Sequence, residues 1–265
     1  MIDGFFSRPS IGQVLFTKIQ SQPKILKQVI AQCQLQRTQA ILVTHSHYDH
    51  ALDIAELGKQ LPNSKIIGSN SSLNIARGGH VAEQQLLPVQ PFKPMLFGQF
   101  KITAIPSQHT PPTAVNNDLG EEITQPLQLP ARFSAFKEGH SFDYLIEHSG
   151  QRILVKASTD AIPDQLKNLK VDILFLGIAQ LSRQSEGFQQ NYLDQTLKPK
   201  VVMPIHWDNF FKPIDQPLEF LPYLADHTEQ SLNILIQAAE QQHTRLVLLS
   251  QPVSYPLDPA LQSDR

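Results

Sequence analysis

The run Thr44-His45-Ser46-His47-Tyr48-Asp49-His50 directly follows Ala40-Ile41-Leu42-Val43, an apolar segment with the composition of a buried β-strand. Three imidazoles and a carboxylate so close together are unfavourable to bury unless a cation binds them. Neutral imidazole suits zinc and several other divalent metals, and a carboxylate adds a harder oxygen ligand. Side chains two residues apart in an extended segment point the same way, so we expect His45 and His47 to face one point and Asp49–His50 another. The run therefore predicts two metal positions.

Two further histidines follow apolar strands elsewhere in the chain. His109 comes after the predicted strand Phe100–Ile105, and His206 comes after Lys200–Met203. Polar side chains at strand exits gather at one edge of a sheet, where loops set their neighbours. We therefore expect several strand ends to contribute to one site.

The composition is that of a globular chain without an excess of positive charge. The 265 residues contain 22 Lys and Arg against 24 Asp and Glu, which gives a net charge of −2. This balance does not favour binding to nucleic acid or to an anionic membrane, and we expect neither as a partner. No apolar stretch is long enough to span a membrane and no signal peptide is visible, so we expect a cytoplasmic protein. Cys33 is the single cysteine, which excludes a multi-thiolate zinc site.

Strand-like and helix-like segments are mixed along the chain, which favours a layered α/β or α+β domain. The segments 142–147 and 152–157 predict a hairpin. The apolar spacing of residues 188–197, 215–225 and 229–242 predicts helices.

Residues 110–140 fit neither pattern, because prolines interrupt the segment at Pro111, Pro112, Pro126 and Pro130. The segment is too long for an ordinary connection and begins next to His109. We interpret it as a lid over a substrate site. The alternative is a surface insertion without a role.

The chain resembles the metallo-β-lactamase-fold hydrolases, whose signature is H-x-H-x-D-H after a strand, here His45 to His50. The continuation Asp49-His50-Ala51-Leu52-Asp53 is more similar to the lactonase and phosphodiesterase-like group than to true β-lactamases. The resemblance implies an α+β fold, a four-layer αββα sandwich of the metallo-β-lactamase type, in a single domain over residues 1–265. Family members have additional strands before a segment similar to Met1-Ile2-Asp3-Gly4, so we expect part of the N-terminal strands to be missing.

The resemblance also implies the ligands and the reaction. In this family two motif histidines and a later strand-end histidine bind one metal, and the corresponding residues here are His45, His47 and His109. The motif aspartate, the third motif histidine and a C-terminal histidine bind the second metal, and the corresponding residues here are Asp49, His50 and His206. The implied cofactor is one or two zinc ions, with manganese or iron as alternatives. A metal-bound hydroxide would attack a small ester, lactone or phosphodiester, with Asp49 as both ligand and proton acceptor.

One departure concerns the aspartate that bridges the two metals in the family. It follows the strand that is here 152–157, and counting from the start of that strand places Ser158 at its position and Asp160 two residues later. Both residues are candidates for the bridge. Without a bridging carboxylate the second metal should bind more weakly, because a charge and a ligand are missing.

Three further residues are weaker candidates. Asp53 is spaced to orient a ligand imidazole, with a solvated helix start as the alternative. Tyr48 and His140 are candidates for the substrate cleft, with core packing and surface exposure as their respective alternatives.

Two other functions stay open beside hydrolysis: a metal-binding descendant of the fold without turnover, and a di-iron redox protein, because the same ligands accept iron.

Overall fold

The computed structural model describes residues 1–113, 117–184, 197–223 and 225–250. The chain forms two compact units. The N-terminal unit consists of residues 1–90, 112–142 and 210–216, and the C-terminal unit consists of residues 91–111, 143–209 and 217–265. The expectation of a single domain over residues 1–265 stays a prediction.

A parallel three-stranded sheet lies in the N-terminal unit, in the order β1-β2-β3. Its strands are β1 (Ala40–Leu42), β2 (Lys65–Gly68) and β3 (Leu86–Pro88). Ile2 forms a parallel bridge to Leu42, and the backbone N–H of Asp3 donates to the Leu42 carbonyl at 3.0 Å. Residues 1–3 therefore run beside β1 and bring Asp3 to the strand end where the histidine run begins.

The described α-helices of this unit are α1 (Ile11–Phe16), α2 (Pro23–Gln32), α3 (Tyr48–Ala51), α4 (Ile54–Gln60) and α5 (Asn70–Gly78). α2 begins with Pro23, whose missing N–H costs nothing in a first turn. Ser69 caps α5, because its side chain accepts a hydrogen bond from the backbone of Ser72. The buried faces of the helices and strands form one apolar core, which includes Leu26, Ile41, Leu57 and Leu73.

The segment 117–140 is packed into this core. Ile123 is one of its buried residues, and the side chain of Asn74 in α5 donates to the Ile123 carbonyl at 2.6 Å. Gly78 at the end of α5 lies against the backbone of Leu127, where a Cβ would come within 1.9 Å of the Leu127 carbonyl oxygen. Only glycine permits this close approach.

This packing limits which part of residues 110–140 could act as a lid. Within the segment, Phe133–Ala135 forms a single 3₁₀ turn, and Phe136 is buried in the core. Residues 114–116 lie outside the described residues. The part from residue 117 onward is thus an integral element of the N-terminal unit, and a lid role for the remainder stays a prediction.

A seven-stranded sheet lies in the C-terminal unit, in the order β10-β9-β8-β7-β6-β5-β4. Its strands are β4 (Met95–Phe97), β5 (Phe100–Ser107), β6 (Ser141–His148), β7 (Gln151–Lys156), β8 (Ile173–Gly177), β9 (Val201–Ile205) and β10 (Arg245–Leu246). The strands β7 to β10 are parallel to one another, whereas β4 with β5 and β6 with β7 are antiparallel. The predicted hairpin is therefore present as β6 and β7.

The described α-helix of the C-terminal unit is α6 (Thr228–Gln241), which matches the helix expected over 229–242. Most of the helix expected over 188–197 lies outside the described residues. Among the residues that are described, no helix has the length and apolar character needed to cross a membrane.

The helix expected over 215–225 is wrong. The described residues of that segment form turns and an isolated bridge between Asp208 and Phe220. Pro217 and Pro222 explain the difference, because proline removes a helical hydrogen bond and its ring clashes with the preceding turn.

The register of β7, β8 and β9 places their C-terminal ends at one edge of the sheet. Lys156 pairs with Leu176, and Leu176 pairs with Pro204. Two residues further along, Ser158 and His206 therefore follow their strands at corresponding positions. The α+β class with two sheets is confirmed, whereas the four-layer stacking and the missing N-terminal strands stay predictions.

Candidate metal centre

The three imidazoles of the motif are gathered in the N-terminal unit, in the loop after β1 and in the short helix α3. His45, His47 and His50 are all buried. The ring centroid of His45 lies 4.8 Å from that of His47 and 3.9 Å from that of His50. The structure thus brings together the three histidines that the sequence pattern singled out.

Asp49 contributes a carboxylate beside this cluster. Its Oδ2 lies 3.5 Å from Nε2 of His50, and its side chain is mostly but not fully buried. An oxygen and a ring nitrogen at this separation can contact one cation from two sides.

The carboxylate of Asp3 forms hydrogen bonds that position side chains of the cluster. Its Oδ1 accepts the backbone N–H of Thr44 at 2.8 Å, and its Oδ2 accepts the Thr44 hydroxyl at 2.6 Å. The same Oδ2 lies 2.8 Å from Nδ1 of His50. Oγ1 of Thr44 is in turn 3.2 Å from Nδ1 of His45.

These contacts determine which ring nitrogen of each histidine carries the proton. A carboxylate only accepts hydrogen bonds, so Nδ1 of His50 must be the protonated nitrogen. Because the Thr44 hydroxyl donates its proton to Asp3, its oxygen accepts a hydrogen bond from Nδ1 of His45. In the neutral rings, Nε2 of His45 and Nε2 of His50 therefore carry the lone pairs that can bind a metal.

His47 has the opposite arrangement. Its Nε2 lies 3.1 Å from Oδ1 of Asp118, which belongs to the segment 117–140. By the same reasoning Nε2 is the protonated nitrogen, and Nδ1 carries the lone pair.

The C-terminal unit contains the next predicted ligand, His109, two residues after β5. Its Nδ1 lies 3.0 Å from the backbone carbonyl oxygen of Thr110, an acceptor that leaves Nε2 with the lone pair. The backbone N–H of Thr110 donates to Oγ of Ser158 at 2.7 Å. Ser158 thereby ties the end of β7 to the loop that carries His109.

Asp160 lies in the same loop region of the C-terminal unit. Its Oδ2 accepts from the side-chain amide of Gln108 at 3.0 Å, and its Oδ1 accepts from the backbone of Ala161 at 2.7 Å. Burial raises the pKa of Asp160, more than the Ala161 hydrogen bond and the charge of Lys156 lower it. Ser158 thus contacts the backbone of Thr110, and Asp160 contacts the side chain of Gln108. Both candidates for the bridge therefore bind a residue adjacent to His109 in the sequence.

A buried lysine lies beneath this loop. Lys156 is fully enclosed, and its Nζ lies 3.2 Å from Oγ of Ser107 and 3.4 Å from Oδ2 of Asp143. It also donates to the backbone carbonyl of Asp160. Burial lowers the pKa of Lys156 and raises that of Asp143, while their mutual attraction opposes both shifts.

His206 directly follows β9, as predicted, and is partly buried. Its backbone adopts φ of +56°, in the left-handed region. Non-glycine residues are uncommon there, and such conformations concentrate at functional sites.

A family model described as a beta-lactamase superfamily domain matches residues 2–207 of this sequence. The chain belongs to this superfamily. The comparison with curated proteins finds no match.

Three solved structures are similar to the chain. The metallo-β-lactamase fold protein YhfI from Bacillus subtilis is 13% identical with a TM-score of 0.50, over 88% of this chain and 83% of that one. A mutant of CmlA β-hydroxylase, a diiron enzyme of Streptomyces venezuelae, is 14% identical with a TM-score of 0.52, over 81% of this chain and 43% of that one. The metallo hydrolase Igni18 from Ignicoccus hospitalis is 14% identical with a TM-score of 0.49, over 82% and 78%. At these identities the likeness to YhfI and to CmlA concerns the fold alone, and together with the family match the fold is the metallo-β-lactamase fold.

The residues of the motif fit the metal that the superfamily implies. The imidazoles are buried, and on each ring one nitrogen lies at hydrogen-bond distance from an oxygen atom of Thr44, Asp118 or Asp3. Histidines that donate one ring N–H to a carboxylate, as His47 and His50 do, are typical of metal sites. Nitrogen and oxygen donors without sulfur suit zinc, manganese and iron.

The weaker candidates lie in three different environments. Tyr48 packs edge-on against Phe5 and Phe136, with ring centroids 6.0 and 6.5 Å away. Burial and the neighbouring charge of Asp49 raise its pKa, so the phenol stays neutral. His140 is exposed, and its Nε2 lies 2.6 Å from Oε1 of Glu122. These positions agree with core packing for Tyr48 and surface exposure for His140.

Asp53 is buried, but it binds the N-terminal segment. Its Oδ2 accepts the backbone N–H groups of Phe6 and Ser7, each at 2.8 Å, and its Oδ1 accepts the Ser7 hydroxyl. Burial raises the pKa of Asp53, against the hydrogen bonds from Ser7 and Phe6. The imidazole contact for which Asp53 was a candidate is made by Asp3, and the alternative of a solvated helix start does not apply either, because Asp53 is fully buried.

Sequence reasoning missed Asp3 and Asp118 as partners of the histidines. Asp3 had a signal, because it stands in a segment that is similar to a family strand, but its contact with the motif requires the parallel pairing of residues 1–3 with β1. Asp118 had none, since it lies 71 positions from His47 in an irregular segment.

Proposed function

We propose that this protein is a metal-dependent hydrolase of a small ester, lactone or phosphodiester. The observation that carries the proposal is the buried cluster of His45, His47 and His50, each with one ring nitrogen engaged by an oxygen acceptor. Membership of the beta-lactamase superfamily supports it. A bound divalent metal would supply a Lewis acid and a water whose pKa is lowered to about 7.

The proposed ligands are those that the family resemblance implies. One metal would be bound by His45, His47 and His109, and a second by Asp49, His50 and His206. In support, each unit engages Nδ1 of its histidines His45, His50 and His109 in a hydrogen bond. Such a bond turns Nε2 toward a ligand and raises its basicity.

Asp49 is the residue that we propose as proton acceptor. Its carboxylate is adjacent to Nε2 of His50, and about a seventh of its side chain remains exposed. A partly solvated carboxylate in this place can take a proton from a water at hydrogen-bond distance.

Zinc is the proposed metal, with manganese or iron as alternatives, because the donors are imidazole and carboxylate. The proposed partner is a small-molecule substrate. The charge balance of 22 basic against 24 acidic residues supports the expectation that neither nucleic acid nor a membrane is a partner. The cytoplasmic location stays an expectation.

The test combines metal analysis with an activity panel. Protein purified without chelator is analysed for zinc, manganese and iron, then assayed with p-nitrophenyl acetate, a γ-lactone and bis-p-nitrophenyl phosphate. We expect at least one equivalent of metal and turnover of one substrate that chelator abolishes and zinc restores. His47→Ala should remove both, whereas His148→Ala, which changes a partly buried histidine stacked on Phe100 in the C-terminal unit, should remove neither.

The outcomes separate the alternatives. Metal content well below one equivalent, without recovery on adding zinc or manganese, contradicts the proposal. Tightly bound metal without turnover of any substrate supports a non-catalytic descendant. Two equivalents of iron with a reversible redox change support a di-iron redox protein.

A further inference from the structure

We propose that Asp118 is a positioning residue that directs His47 toward the metal through Nδ1. This inference rests on the proposed metal site, and concerns a residue outside the motif. Oδ1 of Asp118 lies 3.1 Å from Nε2 of His47. The two side chains are only 14% and 8% exposed, so little water competes for the contact.

The chemistry of the contact selects one tautomer. A carboxylate has no proton to donate above its pKa, so the neutral imidazole must place its proton on Nε2. The lone pair is then on Nδ1. His45 and His50 are engaged at Nδ1, so His47 should present the other ring nitrogen to the metal than its two neighbours in the motif.

The segment that carries Asp118 is attached directly to the motif. Ser46, between the first two motif histidines, donates its hydroxyl to the carbonyl of Lys137 at 2.5 Å and its backbone N–H to the carbonyl of Glu138 at 3.0 Å. The position of the segment is therefore fixed relative to His45 and His47.

The Glu138 carboxylate closes the same segment on itself. This buried side chain accepts the backbone N–H groups of Gly120 and His140 and the hydroxyl of Ser141. The turn that begins at Asp118 is also closed by a hydrogen bond from Glu121 N–H to the Asp118 carbonyl at 2.9 Å. Asp118 thus stands on a rigid support, which is what a residue needs to fix a ring orientation.

The same segment offers a matched control. Glu122 contacts a histidine too, with its Oε1 2.6 Å from Nε2 of His140. That pair is about half exposed on both sides and contains no motif residue. A substitution at Glu122 removes a carboxylate–histidine contact of the same kind without touching His47.

The test compares Asp118→Ala, Asp118→Asn and Glu122→Gln with the wild type. Zinc affinity is measured by competition with a chelating dye, and the tautomer of His47 is measured in metal-free protein by ¹⁵N NMR of the imidazoles, assigned with His47→Gln. We expect the Nε2–H tautomer in the wild type and a mixture in Asp118→Ala. We expect the zinc Kd to rise about 10- to 100-fold in Asp118→Ala, as for the loss of other partners of metal-bound histidines. Asp118→Asn keeps an oxygen acceptor, so its zinc Kd should rise less.

Two results would overturn the proposal: an Nδ1–H tautomer in the wild type, or a zinc Kd in Asp118→Ala equal to that of Glu122→Gln. The failure of the proposed function looks different, because zinc would then bind to none of the proteins, including the wild type. Unchanged thermal unfolding of Asp118→Ala would show that a loss of affinity does not come from misfolding.

Discussion

Oδ2 of Asp3 lies 2.8 Å from Nδ1 of His50, although the two residues are 47 positions apart. The contact exists because residues 1–3 pair beside β1, so that Asp3 reaches the strand end that carries the motif. The same carboxylate engages both the backbone and the hydroxyl of Thr44. One side chain therefore sets the tautomers of two histidines, directly for His50 and through Thr44 for His45.

Asp3→Asn should weaken metal binding. An amide in this place offers one oxygen where the carboxylate offers two, so either Thr44 or His50 loses its acceptor. We expect a rise of about 10- to 100-fold in the zinc Kd. Competition with a chelating dye measures it. Glu83→Gln, which changes an exposed carboxylate of the same unit, should leave the Kd unchanged; an equal Kd in both variants would contradict the role of Asp3.

Ser158→Ala should lower stability and loosen His109. The substitution leaves the buried N–H of Thr110 without the hydroxyl that accepts it, at a cost of about 1 to 3 kcal/mol in the free energy of unfolding. Urea denaturation measures the cost, and zinc titration measures the effect on binding. Ser158→Thr keeps the hydroxyl and should restore most of the stability and most of the zinc binding. If Ser158→Thr is no better than Ser158→Ala, the hydrogen bond is not the cause.

Asp160→Asn should leave the number of bound metal ions unchanged. Both carboxylate oxygens already accept hydrogen bonds, from Gln108 and from Ala161, and burial favours the protonated form. Elemental analysis of the variant and the wild type decides the question. The loss of one full equivalent would instead identify Asp160 as the bridging ligand.

Lys156→Met should destabilise the protein strongly. It leaves the buried carboxylate of Asp143 without its cation, and breaking a buried pair in this way costs about 3 to 5 kcal/mol. The double variant Lys156→Met with Asp143→Leu removes both charges and should recover most of the loss. Urea denaturation of both variants is the measurement. A double variant as unstable as the single one would mean that the contacts of Lys156 with Ser107 and Asp160 matter more than the charge.

Asp172→Asn should lower stability only where Asp172 is ionised. Although burial raises the pKa of Asp172, its hydrogen bonds with Lys200 and Arg152 outweigh this effect, and the pKa is lowered overall. A carboxylate with a lowered pKa in the folded state stabilises the protein above its unfolded pKa of about 4, and this stabilisation is lost as the pH falls through the lower folded value.

We therefore expect a loss of about 1 kcal/mol for Asp172→Asn at pH 7, because the ion pair with Lys200 is largely exposed on the lysine side. The difference from wild type should shrink as the pH falls below about 4. Urea midpoints at several pH values measure it. Asp164→Asn, which changes an exposed carboxylate near Lys167, is the control. A difference that is the same at every pH would exclude an ionic origin.

The sequence predicted the features that are written in contiguous residues. The motif His45 to His50 identified the superfamily, and apolar runs located β5, β7 and β9 with errors of a few residues at their ends. These signals are local, because a strand that is buried on both faces is an unbroken apolar run.

The features that the sequence did not predict depend on contacts between distant residues. The role of Asp118 follows from the packing of an irregular segment, for which no periodic pattern exists. Asp53 and Asp3 are both aspartates near the motif, and only the pairing of residues 1–3 with β1 decides which one meets the imidazoles. The apolar spacing of residues 215–225 resembled a helix, but Pro217 and Pro222 outweighed it.

The left-handed backbone of His206 bears on how amino-acid replacements at this position should be interpreted. This conformation costs most L-residues about 1 to 2 kcal/mol, whereas glycine and asparagine adopt it easily. In a saturation library selected only for folding, valine, isoleucine and threonine should be depleted at position 206, while glycine and asparagine persist. A second selection, for activity, should remove those two as well. The difference between the two selections would isolate the contribution of the imidazole from that of the backbone, which an alanine variant alone combines.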